Sequence, residues 1–249
     1  RKTGRAERIA SAARAAHTFD PSKAHERHGE ILVPSRRVLT DAEQTNRRLG
    51  HENLGFLSEV HGFAPIEPPR LGLPSSHAAW DAAMADLTGL YRTLGLRRRI
   101  DRMEVLPADP DHLDDAHLLR AGAVLGMLAH AYWYVETQPP ERLPPSLSEP
   151  WAEVRGRLHR PQEVLSYIDL IVYNWRLRDP NADDPRRVEN MQLAFPTVDN
   201  QEERVFYLTQ FEILSRCSPV IGAVVRAQES VARDDPDGLE TELHLIMEA

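Results

Sequence analysis

Histidine is abundant in this chain, with eleven among 249 residues, so metal binding is the first chemistry to consider. His25 and His28 are three residues apart in a polar segment, and His112 and His117 lie among several aspartates. Imidazoles and carboxylates can share a zinc or iron ion. Neither pair, however, forms a helical HExxH motif. We interpret both pairs as solvated polar residues, with a metal site as the alternative in each case.

His130 differs from these because it lies inside the most apolar stretch of the chain, residues 121–135. A buried imidazole needs a hydrogen-bond partner, and a nearby backbone carbonyl or hydroxyl group is the simplest one. We expect a core histidine, with an iron ligand as the alternative. The sequence contains no glycine-rich phosphate loop and no GxSxG nucleophile motif, so it does not predict a nucleotide-binding enzyme or a serine hydrolase of those types.

Two aromatic runs are candidates for a binding pocket. Residues 132–134 read Tyr-Trp-Tyr, and consecutive helical positions point in different directions, so core packing is the simpler interpretation. Phe206 and Tyr207 open a predicted helix whose next turn brings Gln210 onto the Phe206 face. An amide beside aromatic rings can form a polar pocket wall. The alternative is ordinary packing with Gln210 exposed.

Helices must position these side chains, because apolar residues recur at three- and four-residue steps along most of the chain. We predict helices from Ser76 to about Gly95, over residues 114–135, from Pro161 to about Asp179, over residues 202–215 and over residues 239–247. Pro161 would occupy the first turn of the third helix, with Glu163 near its positive end, and Pro219 either kinks the fourth helix or begins another. Prolines 139, 140, 144 and 145 are expected to break the chain. With no alternating strand pattern and no repeat, the sequence predicts an all-α fold.

Composition and organisation narrow the functional class. We predict a polar N-terminal arm with short helices over residues 1–62 and a helical domain over residues 63–249. A formal net charge of -8 argues against a general nucleic-acid binder. Cys217 is the only cysteine, which excludes an intrachain disulfide and fits a reducing cytoplasm. Residues 121–135 are shorter than the roughly 20 that a membrane helix needs. We therefore predict a cytoplasmic monomer that binds neither nucleic acid nor membranes.

A series of short motifs runs through residues 143–212. LPPSLSEPW occupies residues 143–151, SYIDLIVYNWRLRDP residues 166–180, VENM residues 188–191 and ERVFYLTQFEI residues 203–213. GFLS, LP, Trp80 and LAHAY precede them. In order and spacing this set resembles the indoleamine 2,3-dioxygenase family, and its most specific element is the Asn-Trp-x-x-x-Asp-Pro spacing that begins at Asn174. The likeness covers roughly residues 55–249.

The resemblance implies a multi-helix enzyme that uses haem b and O2. Such enzymes insert O2 across the C2 to C3 bond of an indole ring, which gives an N-formylkynurenine-type product in the kynurenine pathway of tryptophan catabolism. By position, Tyr167, Leu170 and Ile171 would line the deep part of the pocket above the haem. Phe206 and Tyr207 would flank the indole and the porphyrin. The implied partner is a small indole, either tryptophan or a relative of it.

Gln210 is a departure from the family, because many members have a serine at that place, near the bound O2 and the substrate. A longer amide would intrude into the distal space, so a related indole competes with tryptophan as the expected substrate. The axial histidine and the arginine that pairs with the substrate carboxylate are expected beyond Ala249. We therefore expect a chain truncated before the C-terminal haem-ligand helices, and we assign no catalytic residue and no metal ligand within it. Two alternatives remain: a haem enzyme of the same fold that performs hydroxylation or rearrangement in secondary metabolism, and a haem-free binding module lacking the C-terminal half.

Overall fold

Helices dominate the backbone in a computed structural model that describes residues 26–27, 30–31, 33–48, 57, 59, 62–65, 68–160 and 162–249. Its α-helices are α1 (Pro34–Arg48), α2 (Ala78–Ala85), α3 (Leu87–Arg92), α4 (Leu96–Ile100), α5 (Leu118–Tyr134), α6 (Pro145–Arg157), α7 (Gln201–Arg216), α8 (Ser218–Ala232) and α9 (Pro236–Glu248). Three 3₁₀ turns, at Ser75–His77, Asp115–His117 and Val188–Asn190, and a π-helical turn at Ile168–Val172 accompany them. The predicted all-α class is confirmed. None of the helices described is long and apolar enough to cross a bilayer.

Two pairs of very short antiparallel strands were not predicted. β1 (Glu26–Arg27) pairs with β2 (Glu30–Ile31), and β3 (Arg176–Leu177) pairs with β4 (Met191–Gln192). A strand of two residues is too short to show the alternation of apolar and polar side chains by which strands are recognised in a sequence. The second pair closes the loop that comes after the π-helical turn.

α5 forms the centre of the main apolar core. Every residue from Leu118 to Ala129 is buried, and α2 and α6 pack against this helix. The lack of a side chain at Gly126 makes room for Leu165, whose Cδ2 would be 2.6 Å from a Cβ at that position. One turn later, Nδ1 of His130 donates a hydrogen bond of 2.9 Å to the carbonyl of Gly126. The prediction of a central helix is confirmed. His130 makes the backbone hydrogen bond that was predicted for it, but its ring is only half-buried.

The structure departs from the predicted helices at three places. The helix predicted from Pro161 to about Asp179 is replaced by a bend over residues 162–164 and the single π-helical turn; Pro161 itself lies outside the described residues. Conversely, the prolines that were expected to break the chain include Pro145, which begins α6. Proline suits the first turn of a helix, because its fixed φ is helical and its missing N–H would have had no partner there. The first predicted helix is also divided, between α2 and α3, at Asp86.

A second apolar cluster lies under α7. Its buried members are Ala64, Ile171, Trp175, Met191, Leu193, Leu208 and Phe211. The rings of Trp175 and Phe211 are stacked with their centroids 4.4 Å apart. Leu170 packs against this cluster and also against the main core, so the π-helical turn joins the two apolar regions.

α1 belongs to the arm predicted for residues 1–62, and polar contacts connect it to α8. Nη2 of Arg36 lies 3.0 Å from Oε1 of Glu229, and the backbone N–H of Ser35 donates to Gln228 at 3.4 Å. α8 has Pro219 in its first turn, so this proline begins a new helix, which was one of the two predicted outcomes. α8 then packs lengthwise against α9. The domain boundary at residue 62 stays a prediction.

The start of α7 is fixed by two side chains that cap it. Oδ1 of Asn200 accepts the backbone N–H of Glu203 at 2.8 Å. The Glu203 carboxylate in turn accepts the backbone N–H groups of Thr197 and Asp199, each at 2.8 Å. The first bond satisfies an N–H group that a helix start leaves without a partner, and the other two hold the loop that precedes α7. The fourth predicted helix is confirmed, and its direction is set by this cap.

Replacing Asn200 with alanine is expected to lower the free energy of unfolding by about 1 kcal/mol, because the N-cap acceptor is lost. Urea unfolding followed by circular dichroism measures this directly. Asn181→Ala, in an exposed loop, is the matched control and should leave the midpoint unchanged. Equal midpoints for Asn200→Ala and the unmodified protein would show that the cap does not stabilise α7.

Candidate functional site

The π-helical turn is held by one buried carboxylate. Asp169 is 4% exposed, and its Oδ1 accepts a bond of 2.7 Å from Nη1 of Arg160. Its Oδ2 accepts both the backbone N–H and the hydroxyl of Ser166, at 2.9 and 2.8 Å. A buried charge is tolerated when it is paired and fully hydrogen-bonded, as here. This cluster of three residues fixes the backbone on both sides of Tyr167.

The C-terminal side of the same turn is anchored by Asn174 and Trp175. Oδ1 of Asn174 accepts the backbone N–H of Phe195 at 2.7 Å. Nε1 of Trp175 donates to the carbonyl of Val172 at 2.9 Å, while its ring stacks on Phe211 of α7. Both residues are almost fully buried. The turn is therefore fixed at each end, and α7 is held beside it.

Between the turn and α7, four side chains form a surface that we call the aromatic wall: Tyr167 and Phe206 are exposed, and Tyr207 and Gln210 are half-buried. The Tyr167 hydroxyl donates to Oε1 of Gln210 at 3.1 Å. Nε2 of Gln210 donates to the carbonyl of Phe206 at 3.4 Å. The rings of Phe206 and Tyr207 meet edge to face at 5.5 Å. The amide is thus bound at its oxygen and at its nitrogen.

The wall carries no net charge at neutral pH. Burial raises the pKa of the Tyr167 hydroxyl, and burial together with the negative charge of Glu203 raises the pKa of Tyr207. Both phenols therefore stay protonated well above physiological pH, so Tyr167 keeps the proton that it donates to Gln210. A neutral, aromatic surface with one bound amide suits the binding of a flat organic molecule better than acid-base chemistry.

The six residues predicted for the site divide into two groups. Four of them meet in the aromatic wall, where Tyr167 is 51% exposed and Phe206 is 63% exposed. The other two, Leu170 and Ile171, lie behind it: Leu170 bridges the two apolar regions, and Ile171 is 3% exposed within the second cluster. Their predicted role in lining a haem pocket stays a prediction.

Sequence reasoning missed the residues that position the wall. Asp169, Arg160 and Ser166 were not singled out, although Ser166 and Asp169 have the three-residue spacing of a local side-chain cap. From that spacing, the contact between Ser166 and Asp169 could have been predicted. The burial of the Asp169 carboxylate, which makes the cluster important, is visible only in the folded chain.

The histidine pairs do not form a metal site in the described part of the chain. His112 lies 2.8 Å from Asp109, and His117 lies 2.6 Å from Asp114, each pair standing alone. Among the residues described there is no group of three or more histidine, cysteine, aspartate or glutamate side chains that could hold a metal ion. His25 and His28 lie outside the described residues.

Comparison with known proteins places this site in a family. A family model described as indoleamine 2,3-dioxygenase matches residues 56–249. The chain belongs to this family. The matched range includes the π-helical turn, α7 and all four residues of the aromatic wall.

Curated relatives agree with this assignment. Indoleamine 2,3-dioxygenase 1 of Mus musculus is 29% identical over 215 residues, which is 85% of this chain and 48% of the relative. The indoleamine 2,3-dioxygenase of Saccharomyces cerevisiae is 31% identical over 74% of this chain and 43% of its own length. A 6-hydroxytryptophan 2,3-dioxygenase of Fusarium equiseti is 34% identical over 106 residues, 42% of this chain and 26% of its own. The chain spans about half the length of the mouse and yeast relatives.

Proposed function

We propose that this chain supplies the substrate-binding wall of a haem-dependent oxygenase that inserts O2 into the indole ring of tryptophan or a related indole. The observation that carries the proposal is the Tyr167–Gln210 hydrogen bond between the π-helical turn and α7, within the segment that matches the dioxygenase family. The expected product is of the N-formylkynurenine type.

The aromatic wall suits one face of a haem group. Phe206 and Tyr167 expose large ring surfaces to the outside, and a flat apolar macrocycle is the kind of partner that covers such a surface. Phe206 and Tyr207 would contact the porphyrin and the indole. When bound, haem supplies the binding and activation of O2. The wall itself contributes contact and shape but no iron ligand.

This chain's residues would act by binding, orientation and exclusion of water. The rings of Phe206 and Tyr207 present apolar surface to an indole, and the neutral phenol of Tyr167 holds the amide oxygen of Gln210 in place. An amide nitrogen carries two hydrogens, and only one is used in the bond to the Phe206 carbonyl. The second can bind an oxygen atom on the substrate. Gln210 is therefore the residue that we expect to select among indoles.

The test is to incubate the full-length protein, purified, haem-reconstituted and reduced, with tryptophan and with 6-hydroxytryptophan under O2. A product that contains two added oxygen atoms, identified by mass with labelled O2, would support the dioxygenase. Gln210→Ser should shift the ratio of kcat/KM for the two substrates by about tenfold toward tryptophan, because the shorter serine side chain no longer reaches the ring hydroxyl that the amide would bind. Gln201→Ser, at the exposed start of α7, is the control and should leave the ratio unchanged. The absence of product from both substrates would contradict the proposal.

A second candidate is a haem enzyme of the same fold that hydroxylates or rearranges its substrate. The Gln210 amide favours it, because an amide places a strong hydrogen-bonding group where a ring substituent or a bound oxygen would lie. Retention of one labelled oxygen atom in the product, instead of two, identifies this reaction. A third candidate, a haem-free binding module, predicts that the purified protein shows no Soret band after incubation with haem.

A further inference from the structure

A groove of about 350 Å³ lies beside the C-terminal end of α5. Its lining includes the rings of Trp133, Tyr134, Trp151 and His130, together with Glu163 and Val164. None of these residues belongs to the wall. The volume falls in the range that is usual for small-molecule sites. We call this site the α5 groove.

The α5 groove has two hydrogen-bond acceptors, one on His130 and one on Glu163. Nδ1 of His130 donates to the carbonyl of Gly126 at 2.9 Å, so it carries the ring proton. In the neutral imidazole Nε2 is then an acceptor, and no hydrogen bond to it occurs among the described residues. Glu163 is 71% exposed at its side chain, and its Oε1 binds Arg155 at 3.0 Å. Its second oxygen is available as an acceptor.

The rings of the groove are held in fixed orientations. His130 lies edge-on to Trp151, with centroids 6.1 Å apart and planes at 78°, and it is tilted against Tyr134 at 6.5 Å. The guanidinium of Arg155 lies 4.9 Å from the centre of the Trp151 ring. Because Arg155 binds both Trp151 and Glu163, it ties the carboxylate to the aromatic lining. A fixed set of rings loses little entropy when a flat molecule binds.

We propose that the α5 groove binds a flat aromatic amine, of the size of two fused rings. The ring of the ligand packs among the indole and phenol side chains, where apolar and edge-to-face contacts are both available. Its N–H groups donate to Nε2 of His130 and to the carboxylate of Glu163. Bonds to a charged acceptor are the stronger kind, so Glu163 contributes most to the selectivity for amines. The site is separate from the wall and does not depend on haem.

The probe is 2-aminobenzimidazole, and quinoline, which has a similar shape without an N–H donor, is its control. In a ligand-observed NMR titration we expect saturable binding of 2-aminobenzimidazole at least tenfold tighter than that of quinoline. The intrinsic fluorescence of the protein should change over the same concentration range, because Trp133 and Trp151 line the groove. Equal affinities for the two compounds, or no saturable binding of 2-aminobenzimidazole, would overturn the proposal.

Variants locate the binding site. Glu163→Gln, at an exposed position, is expected to weaken 2-aminobenzimidazole binding about tenfold, since a charge-assisted bond is lost. Glu153→Gln, the same exchange on the exposed face of α6, is the matched control and should bind like the unmodified protein. Phe206→Ala in the aromatic wall should also bind normally. Loss of binding in Phe206→Ala with normal binding in Glu163→Gln would place the compound in the wall and refute the α5 groove.

Discussion

Asp169→Asn is expected to lower the free energy of unfolding by about 3 kcal/mol, because it leaves a partly buried guanidinium without its charged partner. The carboxylate accepts three bonds, one from Arg160 and two from Ser166. An asparagine offers one acceptor oxygen and turns a donor toward one of these groups. The loss of stability therefore has two causes: an N–H donor of the asparagine faces another donor, and the negative charge is absent.

If the chain has the oxygenase function proposed above, the same substitution should reduce that activity further than the loss of stability alone requires. Asp169 fixes the backbone beside Tyr167, and a displacement of about 1 Å at a binding wall can reduce a rate by about a hundredfold. Urea unfolding measures the first effect, and kcat/KM under conditions where the variant is fully folded measures the second. Asp183→Asn, at an exposed position, is the control for both. A variant with unchanged stability and activity would contradict the positioning role of Asp169.

Trp175→Ala is expected to cost about 3–5 kcal/mol of stability, as is usual when a large buried ring is removed. Trp175 is fully buried, stacks on Phe211 and donates its indole N–H to Val172. Removal of the ring leaves a cavity in the second apolar cluster and a carbonyl without its donor. The π-helical turn and α7 then lose their main shared contact.

Two comparisons separate these contributions. Trp175→Phe keeps an aromatic ring against Phe211 and loses the indole N–H, so it should cost only about 1–2 kcal/mol. Tyr134→Ala removes a ring that is 78% exposed and should change the unfolding midpoint little. Urea unfolding of all three variants is the measurement. A Trp175→Ala protein as stable as Tyr134→Ala would show that the second cluster does not support α7.

The fold class and the helices α5, α7 and α9 could be predicted because their residues follow a regular period. α5 shows this best: its apolar run from Leu118 onward predicts a central helix, and it is the core of the molecule. α7 and α9 were also found by their spacing. Tyr167 and Gln210 were linked only by resemblance to the family, since no local pattern indicates that residues 43 positions apart share a hydrogen bond.

The structure of the segment from Gln162 to Val172 could not be predicted from the sequence. Its apolar residues recur at helical spacing and predicted a continuous helix, but Val164 and Tyr167 are exposed while Ile171 is buried. Asp169 accounts for part of this difference, because its carboxylate accepts the Ser166 backbone N–H as a side-chain cap does, so the helical turn begins after Ser166 and not at Pro161. The pairing of that carboxylate with Arg160 depends on tertiary contacts. Such contacts cannot be read from spacing.

The π-helical turn at Ile168–Val172 also makes this part of the chain sensitive to its own length. Such a turn closes its hydrogen bonds over one more residue than an α-helical turn does. Removal of one residue between Tyr167 and Trp175 would take away this extra residue and change the position of one of these side chains relative to the other. A substitution there can leave the geometry of the turn unchanged, whereas an insertion or a deletion changes it. Alignments of related chains should therefore be free of gaps between these two aromatic residues.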